Sequence, residues 1–391
     1  MPAASRHRGL TRVRAFCAAA ALATAAGACA GPATPTAPGQ PSASTNVASP
    51  GSPGPSRPVP TPVPSNPAAT ALVAPSIPPG ATWARIEIGG ERPAAREDHT
   101  WTVDEAGRTA YLFGGRDGAT DFDDLWAFDL ASDTWQRINP TGDAPPARFG
   151  HEAAWVAGRG LVLFGGQTGA SFYDDVWLFR PSANEWLLLP ADGSVPIARY
   201  GSCSGVASDG RFWISHGFTA DGARFADTLA YDFNAHEWTT QSPLNAGPVE
   251  RCLHACWWTA DDRFVLYGGQ TTGVPALGDL WALTPGASSG LNAWAEAPSP
   301  EPPARQLAAV ARRGLLTFIV GGRGTDRKPL ADAWVLPDVG PTAFTRLQTT
   351  GDEPPARSGA AMIYDAAADR MLLFGGLGDD GFDDLWSLRF P

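Results

Sequence analysis

Short runs of aliphatic and aromatic residues alternate with clusters of Gly, Asp, Asn and Pro along residues 81–391. Thr109–Phe113 and Leu125–Leu130 are typical runs, rich in the residues that favour strands and bounded by turn-forming residues. No stretch keeps an apolar period of 3.6 residues over the length of a helix. The pattern therefore predicts an all-β chain.

A tandem repeat organises these runs. A Gly pair closes an apolar run in five of six units, a His-Gly pair takes its place in unit three, and the second Gly recurs every 51–54 residues. An Arg precedes each pair, an Asp-apolar-Trp phrase follows most pairs, and a second aromatic residue comes about nine residues later. Unit three departs from this pattern, with His216 in place of the first Gly and Leu229 in place of Trp. Each unit thus offers four strands. The second glycines are Gly115, Gly166, Gly217, Gly269, Gly322 and Gly376.

Four-stranded units of about 50 residues with this Gly pair resemble kelch repeats, which form the blades of a β-propeller. The resemblance covers residues 81–391 and implies a six-bladed kelch-type propeller. The sixth unit reaches Phe390 and Pro391 with only three strands, whereas Thr82–Ile86 is similar to the outer strand Thr134–Ile138. We therefore expect the N-terminal strand to complete the last blade, which would close the ring and remove a free sheet edge.

The charge of the repeat region excludes some classes of partner. The chain has 391 residues and a net charge of −11, and residues 1–80 contain no Asp or Glu. Residues 81–391 therefore carry 24 basic against 40 acidic residues, a net charge of −16. A domain this acidic is a poor general binder of nucleic acid or anionic lipid. We expect no nucleic-acid partner.

The N-terminus has the pattern of an export signal. Arginines between Arg6 and Arg14 precede Ala15–Ala28, an apolar stretch of 14 residues that is too short to span a membrane. The following Cys29 resembles the acylated cysteine of bacterial lipoproteins. Ordinary cleavage near Ala28 or Ala30, with Cys29 incidental, is the alternative. Either interpretation predicts a protein outside the cytoplasm, and the first anchors it to the membrane through a lipid on Cys29.

A low-complexity segment follows this signal. Residues 31–80 contain 15 of the 37 prolines, with Ala, Ser and Thr supplying most of the rest. Such a composition buries too little apolar surface to offset the entropy of ordering. We predict a lipoprotein-like signal over 1–28, a disordered spacer rich in Pro, Ala, Ser and Thr over 29–80, and the propeller over 81–391.

The repeated arginines are candidates for a ligand-binding ring. Because strands alternate in direction, the loop that carries each Arg and the loop after each Gly pair emerge on one face. Six guanidinium groups around a channel mouth could bind a carboxylate, a sulfate or an acidic peptide. Alternatively, the Asp in each unit pairs with the Arg and braces the blade. The arginines are Arg96, Arg148, Arg199, Arg251, Arg305 and Arg357, and the aspartates are Asp124, Asp175, Asp227, Asp279, Asp332 and Asp384.

Three histidines stand three residues after their Arg, and we regard His99, His151 and His254 as ligand-binding candidates. Packing is the alternative role. Cys203 could form a disulfide with Cys252 or with Cys256, which stand on the next unit's inner strand. Neither these groups nor the acidic loops around Asp117–Asp124 and Asp379–Asp384 match a defined metal site, so we expect no metal and no cofactor.

Two enzymatic relatives suggest alternatives. Copper radical oxidases of the galactose oxidase type are kelch propellers, but no Tyr here is directly followed by His, and Tyr111 and Tyr267 are explained by packing. The resemblance to six-bladed sialic acid mutarotases implies an acid–base site of Arg148, His151 and Glu152, or of Arg96, Glu97 and His99. A monomeric, non-enzymatic surface module that binds a protein or a glycan is the main expectation, with the divergent unit three the most specialised blade.

Overall fold

A computed structural model describes residues 72–286, 292–297, 301–339 and 343–391. These residues form strands and turns without an α-helix. Among them, no helix has the length and hydropathy of a membrane-spanning segment. The predicted signal over 1–28, Cys29 and most of the predicted spacer lie outside the described residues.

The first half of the described chain supplies a single strand and three blades. The single strand is β1 (Ala81–Ile86). Blade 1 contains β2 (Thr100–Val103), β3 (Thr109–Phe113), β4 (Leu125–Asp129) and β5 (Thr134–Ile138). Blade 2 contains β6 (Glu152–Val156), β7 (Gly160–Phe164), the short pair β8 (Gln167–Thr168) and β9 (Ser171–Phe172), β10 (Val176–Arg180) and β11 (Glu185–Leu189). After β12 (Asp192–Gly193), blade 3 contains β13 (Cys203–Val206), β14 (Phe212–Phe218), β15 (Arg224–Asp232) and β16 (Glu237–Thr240).

The second half supplies three further blades. Blade 4 contains β17 (Ala255–Trp258), β18 (Phe264–Tyr267), β19 (Leu280–Thr284) and β20 (Ala293–Ala297). After β21 (Arg305–Gln306), blade 5 contains β22 (Ala309–Arg313), β23 (Leu316–Val320), the short β24 (Arg323–Gly324), β25 (Ala333–Pro337) and β26 (Thr345–Arg346). After β27 (Thr349–Gly351), blade 6 contains β28 (Ala361–Asp365), β29 (Arg370–Phe374) and β30 (Leu385–Arg389).

The N-terminal strand completes the last blade. β1 pairs antiparallel with β30, with Trp83 opposite Leu388 and Ile86 opposite Leu385. The sheet order β27-β1-β30-β29-β28 places β1 where every other blade has its own fourth strand. Trp83 is only 2% exposed and lies in the core shared with blade 5. The six-bladed, all-β fold and its closure by an N-terminal strand are therefore confirmed.

The outer edges of several blades are covered by the chain on its way between blades. β12 runs parallel to β16, and β27 runs parallel to β1. Single parallel bridges join Thr141 to Glu185 in blade 2 and Pro243 to Asn292 in blade 4. Pairing of this kind satisfies backbone groups that would otherwise offer a template for aggregation.

Aromatic side chains fill the wedges between neighbouring blades. The second aromatic residue of a unit packs on the second strand of the preceding blade, with ring centroids 5.1 Å apart for Trp135 and Phe374, 5.4 Å for Trp186 and Phe113, and 5.2 Å for Trp238 and Phe164. Large flat rings bury extensive area in such wedges. This packing explains why the repeat retains the aromatic position.

The Gly pairs join each blade to the next. The N–H of the second Gly donates to the carbonyl of the following unit's Arg at 2.8–2.9 Å in all six units, and Gly376 to Arg96 closes the circle. Both glycines of the first pair have positive φ, 62° for Gly114 and 95° for Gly115. A β-carbon on Gly115 would lie 2.8 Å from the Glu97 carbonyl oxygen. The pair is therefore a structural requirement of blade contact.

Candidate functional site

The six repeated arginines are buried inside the blades. Each guanidinium donates two hydrogen bonds of 2.6–3.0 Å to the carboxylate of its unit's Asp, through Nη1 and Nη2. Nη1 also donates to the carbonyl before the second Gly at 2.8–2.9 Å. Nε donates to the carbonyl two residues before the Arg at 2.9–3.1 Å. We call this arrangement the brace.

The brace corrects the idea of an arginine ring at a channel mouth. The six arginines are 0–2% exposed, and their forked hydrogen bonds point to the aspartates rather than to solvent. An aromatic ring also covers the guanidinium in four blades, at 4.0–4.1 Å from Phe122, Tyr173, Phe225 or Phe382. The geometry is that of the second interpretation, in which each Arg stabilises its own blade. The residues so placed are Arg96, Arg148, Arg199, Arg251, Arg305 and Arg357.

The Asp-apolar-Trp phrase belongs to the same brace. In five blades the indole Nε1 of the Trp donates to the second carboxylate oxygen of the Asp at 2.7–2.8 Å. Burial would raise the pKa of Asp124, Asp279, Asp332 and Asp384, but hydrogen bonds and charge from the Arg outweigh it and hold the pKa below its usual value. In blade 3, Leu229 replaces the Trp, and the Asp227 side chain is 36% exposed, against 11–23% for the others.

A closed circle of backbone hydrogen bonds surrounds the axis beside the braces. The residue two positions after each Arg has φ between 55° and 65°. Each of these residues donates its N–H to the carbonyl of its counterpart in the preceding blade at 2.7–3.0 Å. We call this set the amide ring, and it consists of Asp98, Gly150, Gly201, Leu253, Leu307 and Gly359. Because only six hydrogen-bonded residues complete this circle, it brings the six chain segments close together around the axis. The ring therefore narrows the central channel at this end.

The sequence pattern did not predict the amide ring. A Gly two residues after the Arg recurs in units two, three and six, and this spacing was the available signal. The three other units use Asp98, Leu253 and Leu307 at positive φ, which glycine normally adopts without strain. The pattern is therefore visible only when the backbone conformations are compared.

A central cavity of about 270 Å³ adjoins the amide ring. The first strands of all six blades line it. Thr100, His151, Glu152 and Ser204 contribute polar groups from blades 1 to 3, whereas blades 5 and 6 contribute apolar side chains such as Val310 and Met362. The cavity thus has a polar side and an apolar side.

The three candidate histidines border this cavity and are buried. Burial, reinforced by the charge of Arg96, lowers the pKa of His99 to about 3, and burial also lowers the pKa of His151 and His254 well below its usual value. All three are therefore neutral near pH 7. Nε2 of His151 lies 2.8 Å from the hydroxyl of Thr100, whereas neither ring nitrogen of His99 has a hydrogen-bond partner.

Two carboxyl groups near the axis have raised pKa values. Burial raises the pKa of Glu152 to about 8 against the smaller opposing effect of a hydrogen bond with Ser204. Burial, with the charge of Glu97, raises the pKa of Asp98 to about 7, although Arg116 and Arg323 oppose the shift. Arg116 lies 3.5 Å from the Asp98 carboxylate. Glu152 is consequently uncharged at neutral pH.

These placements separate the residues considered for acid–base catalysis. Arg148 is held by Asp175, whereas His151 and Glu152 border the cavity. Arg96 is likewise held by Asp124, and Glu97 pairs with Arg116 at 3.2 Å. Neither proposed triad therefore offers a free guanidinium to a sugar carboxylate. Tyr111 and Tyr267 are buried in the blade cores.

The cysteine alternatives are resolved by geometry. Cys203 and Cys256 form a disulfide between the first strands of blades 3 and 4, with their Cα atoms 5.7 Å apart. Cys252 is a buried free thiol. Within the described ranges, no group of three or more His, Cys, Asp and Glu side chains is arranged to hold a metal ion. In the first acidic loop, Asp117 instead accepts hydrogen bonds from the N–H groups of Ala119 and Thr120.

Blade 3 is specialised around a histidine. His216 replaces the first Gly of the pair with φ 59° and is fully buried. Its ring lies 5.3 Å from that of His254, and Nδ1 lies 2.7 Å from the hydroxyl of Ser215. Burial, with the charge of Arg251, lowers the pKa of His216 to about 3. The blade nevertheless keeps its brace, because Nη1 of Arg199 donates to the His216 carbonyl oxygen at 2.9 Å.

Exposed apolar side chains lie on loops that enter a blade before its Arg and on a loop that follows a Gly pair. The loop that enters blade 3 exposes Val195 and Ile197, by 41% and 61%, and the loop that enters blade 4 exposes Leu244 and Val249, by 64% and 52%. Val274, in the loop after the blade 4 Gly pair, is 41% exposed. We call these five residues the apolar loop patch. Units one, two, five and six have Ala or Pro where Ile197 and Val249 stand.

Known proteins share the repeat. Residues 79–269 match the family described as the KLHDC2/KLHL20/DRC7 Kelch-repeats domain. Tip elongation aberrant protein 1 of Schizosaccharomyces pombe is 33% identical over 222 residues, which are 53% of this chain and 19% of that protein. Acyl-CoA-binding domain-containing protein 4 of Arabidopsis thaliana is 27% identical over 48% of this chain and 28% of its own length. Kelch domain-containing protein 10 of Xenopus laevis is 28% identical over 61% of this chain and 59% of its own length.

Proposed function

We propose that this chain, whose described residues form a six-bladed kelch-repeat propeller, is a protein-binding module that acts outside the cytoplasm. Kelch propellers typically serve protein interaction, and the relatives share the repeat while this chain spans less than a third of the length of the first three. The apolar loop patch carries the proposal. Exposed apolar residues grouped on loops of neighbouring blades are a usual feature of protein-interaction surfaces.

The braces explain how such loops can be varied. Every Arg anchors both loops of its blade, since it donates to the carbonyl two residues before it and to the carbonyl just before the second Gly, which in blade 3 belongs to His216. The backbone at Ile197 and Val249 is therefore held while their side chains face solvent. A rigid scaffold with variable loop residues limits the entropy lost when a partner binds.

The binding surface is tested by a paired substitution. Ile197→Asp with Val249→Asp places two charges in the patch, and Leu188→Asp is the matched control, because Leu188 is 59% exposed on the outer strand of blade 2. Cross-linking in the native cell envelope, followed by mass spectrometry, should recover a partner with the wild type and with Leu188→Asp and lose it with the double variant. Identical recovery from all three proteins would count against the patch.

Export and lipid anchoring are supported by two features. The N-terminal residues have the signal pattern, and a disulfide such as Cys203–Cys256 persists in oxidising compartments. Labelling of the full chain with a fatty-acid analogue in a bacterial host should modify the wild type and Cys252→Ser but not Cys29→Ser. Cell fractionation should then find Cys29→Ser in the soluble exported fraction. Labelling that survives Cys29→Ser would overturn the lipid anchor.

A further inference from the structure

Negative charge surrounds the apolar loop patch. The three loops that carry the patch contain two exposed acidic residues, Asp192 and Glu250, and no Lys or Arg. Asp143, Asp174 and Asp221 are exposed on adjoining loops of blades 2 and 3. None of these five carboxylates forms an ion pair within the described residues. Their charge is therefore available to a binding partner.

Acidic residues at the opposite ends of the blades are in a different situation. In three hairpins that join a first strand to a second strand, an exposed Asp forms an ion pair with an Arg at 2.6–2.9 Å. These pairs are Arg211–Asp209, Arg263–Asp261 and Arg313–Asp369. Unpaired acidic charge beside the patch is therefore not a general property of the exposed acidic residues of this propeller.

Aromatic rings lie on the same loops of blades 2 and 3. Phe172, Tyr200 and Phe218 are half-buried, and their ring centroids are 6.0–6.4 Å apart. The guanidinium carbon of Arg224 lies 5.2 Å from the Phe218 ring, and its Nη1 donates to the hydroxyl of Thr272 at 3.1 Å. An aromatic face attracts a cation. The partly exposed rings of Phe172 and Tyr200 can therefore contact a cation of a partner.

From the patch, its unpaired carboxylates and these rings, we propose that the partner presents a basic segment in which Lys or Arg alternates with apolar residues. The apolar side chains of this segment cover Ile197 and Val249, and its cations lie beside Asp192 and Glu250. Complementary charge speeds the encounter and disfavours acidic proteins, because like charges repel across an interface. This inference rests on the proposed function of the patch and adds the chemistry of its partner.

Selection of random peptides of about twelve residues on the full chain tests this chemistry. The recovered peptides should contain more Lys and Arg than Asp and Glu, together with apolar residues. Replacement of every Lys and Arg in a recovered peptide by Gln should weaken its binding by about tenfold or more. The association rate should fall by about tenfold between about 50 and 500 mM NaCl, because salt screens exposed charges.

Charge reversal locates the binding at the patch. Asp192→Lys with Glu250→Lys should weaken the affinity for a recovered peptide by about tenfold or more. Asp123→Lys with Asp352→Lys, at exposed loop positions of blades 1 and 6, is the matched control. It changes the net charge by the same amount and should alter the affinity by less than about twofold, because distant exposed charges are screened.

Three results would overturn the basic partner: recovered peptides with a neutral or acidic net charge, undiminished affinity in Asp192→Lys with Glu250→Lys, or recovery of no peptide. The apolar variant Ile197→Asp with Val249→Asp separates this failure from failure of the proposed function. Peptides without basic residues that bind the wild type and not the apolar variant would refute the basic partner and leave the patch as a binding surface. Peptides that bind the apolar variant as well as the wild type would refute both.

Discussion

At the residue scale, the brace shows how a buried charge is tolerated six times in one small domain. A buried guanidinium is stabilised only if its donors are satisfied, and here Asp, two carbonyls and a stacked ring supply the partners. The Trp of the same unit then positions the Asp through its indole N–H. The Arg, Asp, Trp and Gly positions that recur in the repeat are therefore the positions that surround one buried guanidinium group.

Removal of the charge from one brace should be costly. Asp124→Asn leaves Arg96 buried beside a neutral amide, and we expect a loss of about 2–4 kcal/mol in the free energy of unfolding. Asp123→Asn, at the exposed neighbouring position, should cost less than about 0.5 kcal/mol. Urea unfolding of the two variants measures the difference, and equal losses would show that the brace does not stabilise the blade.

Glu152 should make stability depend on pH. Its pKa is raised from 4.5 to about 8 in the folded protein, so the folded state holds its proton while the unfolded state loses it between these values. The contribution of Glu152 to the free energy of unfolding is therefore fully present below about pH 4.5 and is lost as the pH rises to about 8. The free energy of unfolding of Glu152→Gln should match that of the wild type at pH 4 and exceed it at pH 9 by about 1–3 kcal/mol. This difference is smaller than the full pKa shift implies, because water in the channel screens the carboxylate.

The control for this titration is Glu296→Gln, at an exposed position of blade 4. Its stability should follow the wild type across the same pH range. Chemical unfolding at pH 4, 6 and 9 makes the comparison. Parallel curves for Glu152→Gln and the wild type would contradict a half-buried Glu152 that is protonated at neutral pH.

At the scale of elements, contact between blades depends on backbone groups as much as on side chains. The Gly pair ends the second strand and donates to the next blade, and the amide ring repeats this link nearer the axis. Neither link tolerates a slip in register, because each is set by positive φ at a defined position. Aromatic wedges then fill the space that these links define.

Two glycines distinguish strain from steric contact. Gly115 and Gly118 both have positive φ, 95° and 90°, but a β-carbon on Gly115 would lie 2.8 Å from the Glu97 oxygen, whereas Gly118 has open space. Gly118→Ala should cost about 1 kcal/mol through backbone strain alone, and Gly115→Ala about 3 kcal/mol or more. Thermal unfolding compares them, and similar values would mean that the backbone contact between blades is dispensable.

At the scale of the whole molecule, pairing of the N-terminal strand with the last blade closes the ring, and we expect this closure to make the six blades one cooperative unit. β1 belongs to the start of the described chain yet lies between β30 and the crossing segment β27. The disulfide ties blades 3 and 4 on a different side of the axis. Closure without a covalent link relies on packing of β1, above all on Trp83.

Loss of that packing should weaken the whole propeller. Trp83→Ala removes a side chain that is 2% exposed, and we expect about 3–5 kcal/mol of destabilisation within a single transition. Arg85→Ala, at an exposed position of the same strand, is the control. Hydrogen exchange should accelerate in blade 3 as well as in blade 6. Protection lost only in blade 6 would show that the blades unfold separately.

The sequence by itself determined the number of blades, the strand content and the role of β1. Those features rest on short-range periodicity and on the similarity between Thr82–Ile86 and Thr134–Ile138. Both can be recognised without knowing which residues are close in space. Only the tertiary structure decided between the two roles of the arginines and between the two possible partners of Cys203. Only the tertiary structure showed the amide ring. Each of these depends on burial and on backbone groups brought from another strand or blade. Complete burial makes Arg96 a brace, and desolvation of the half-buried Glu152 keeps that carboxyl group neutral.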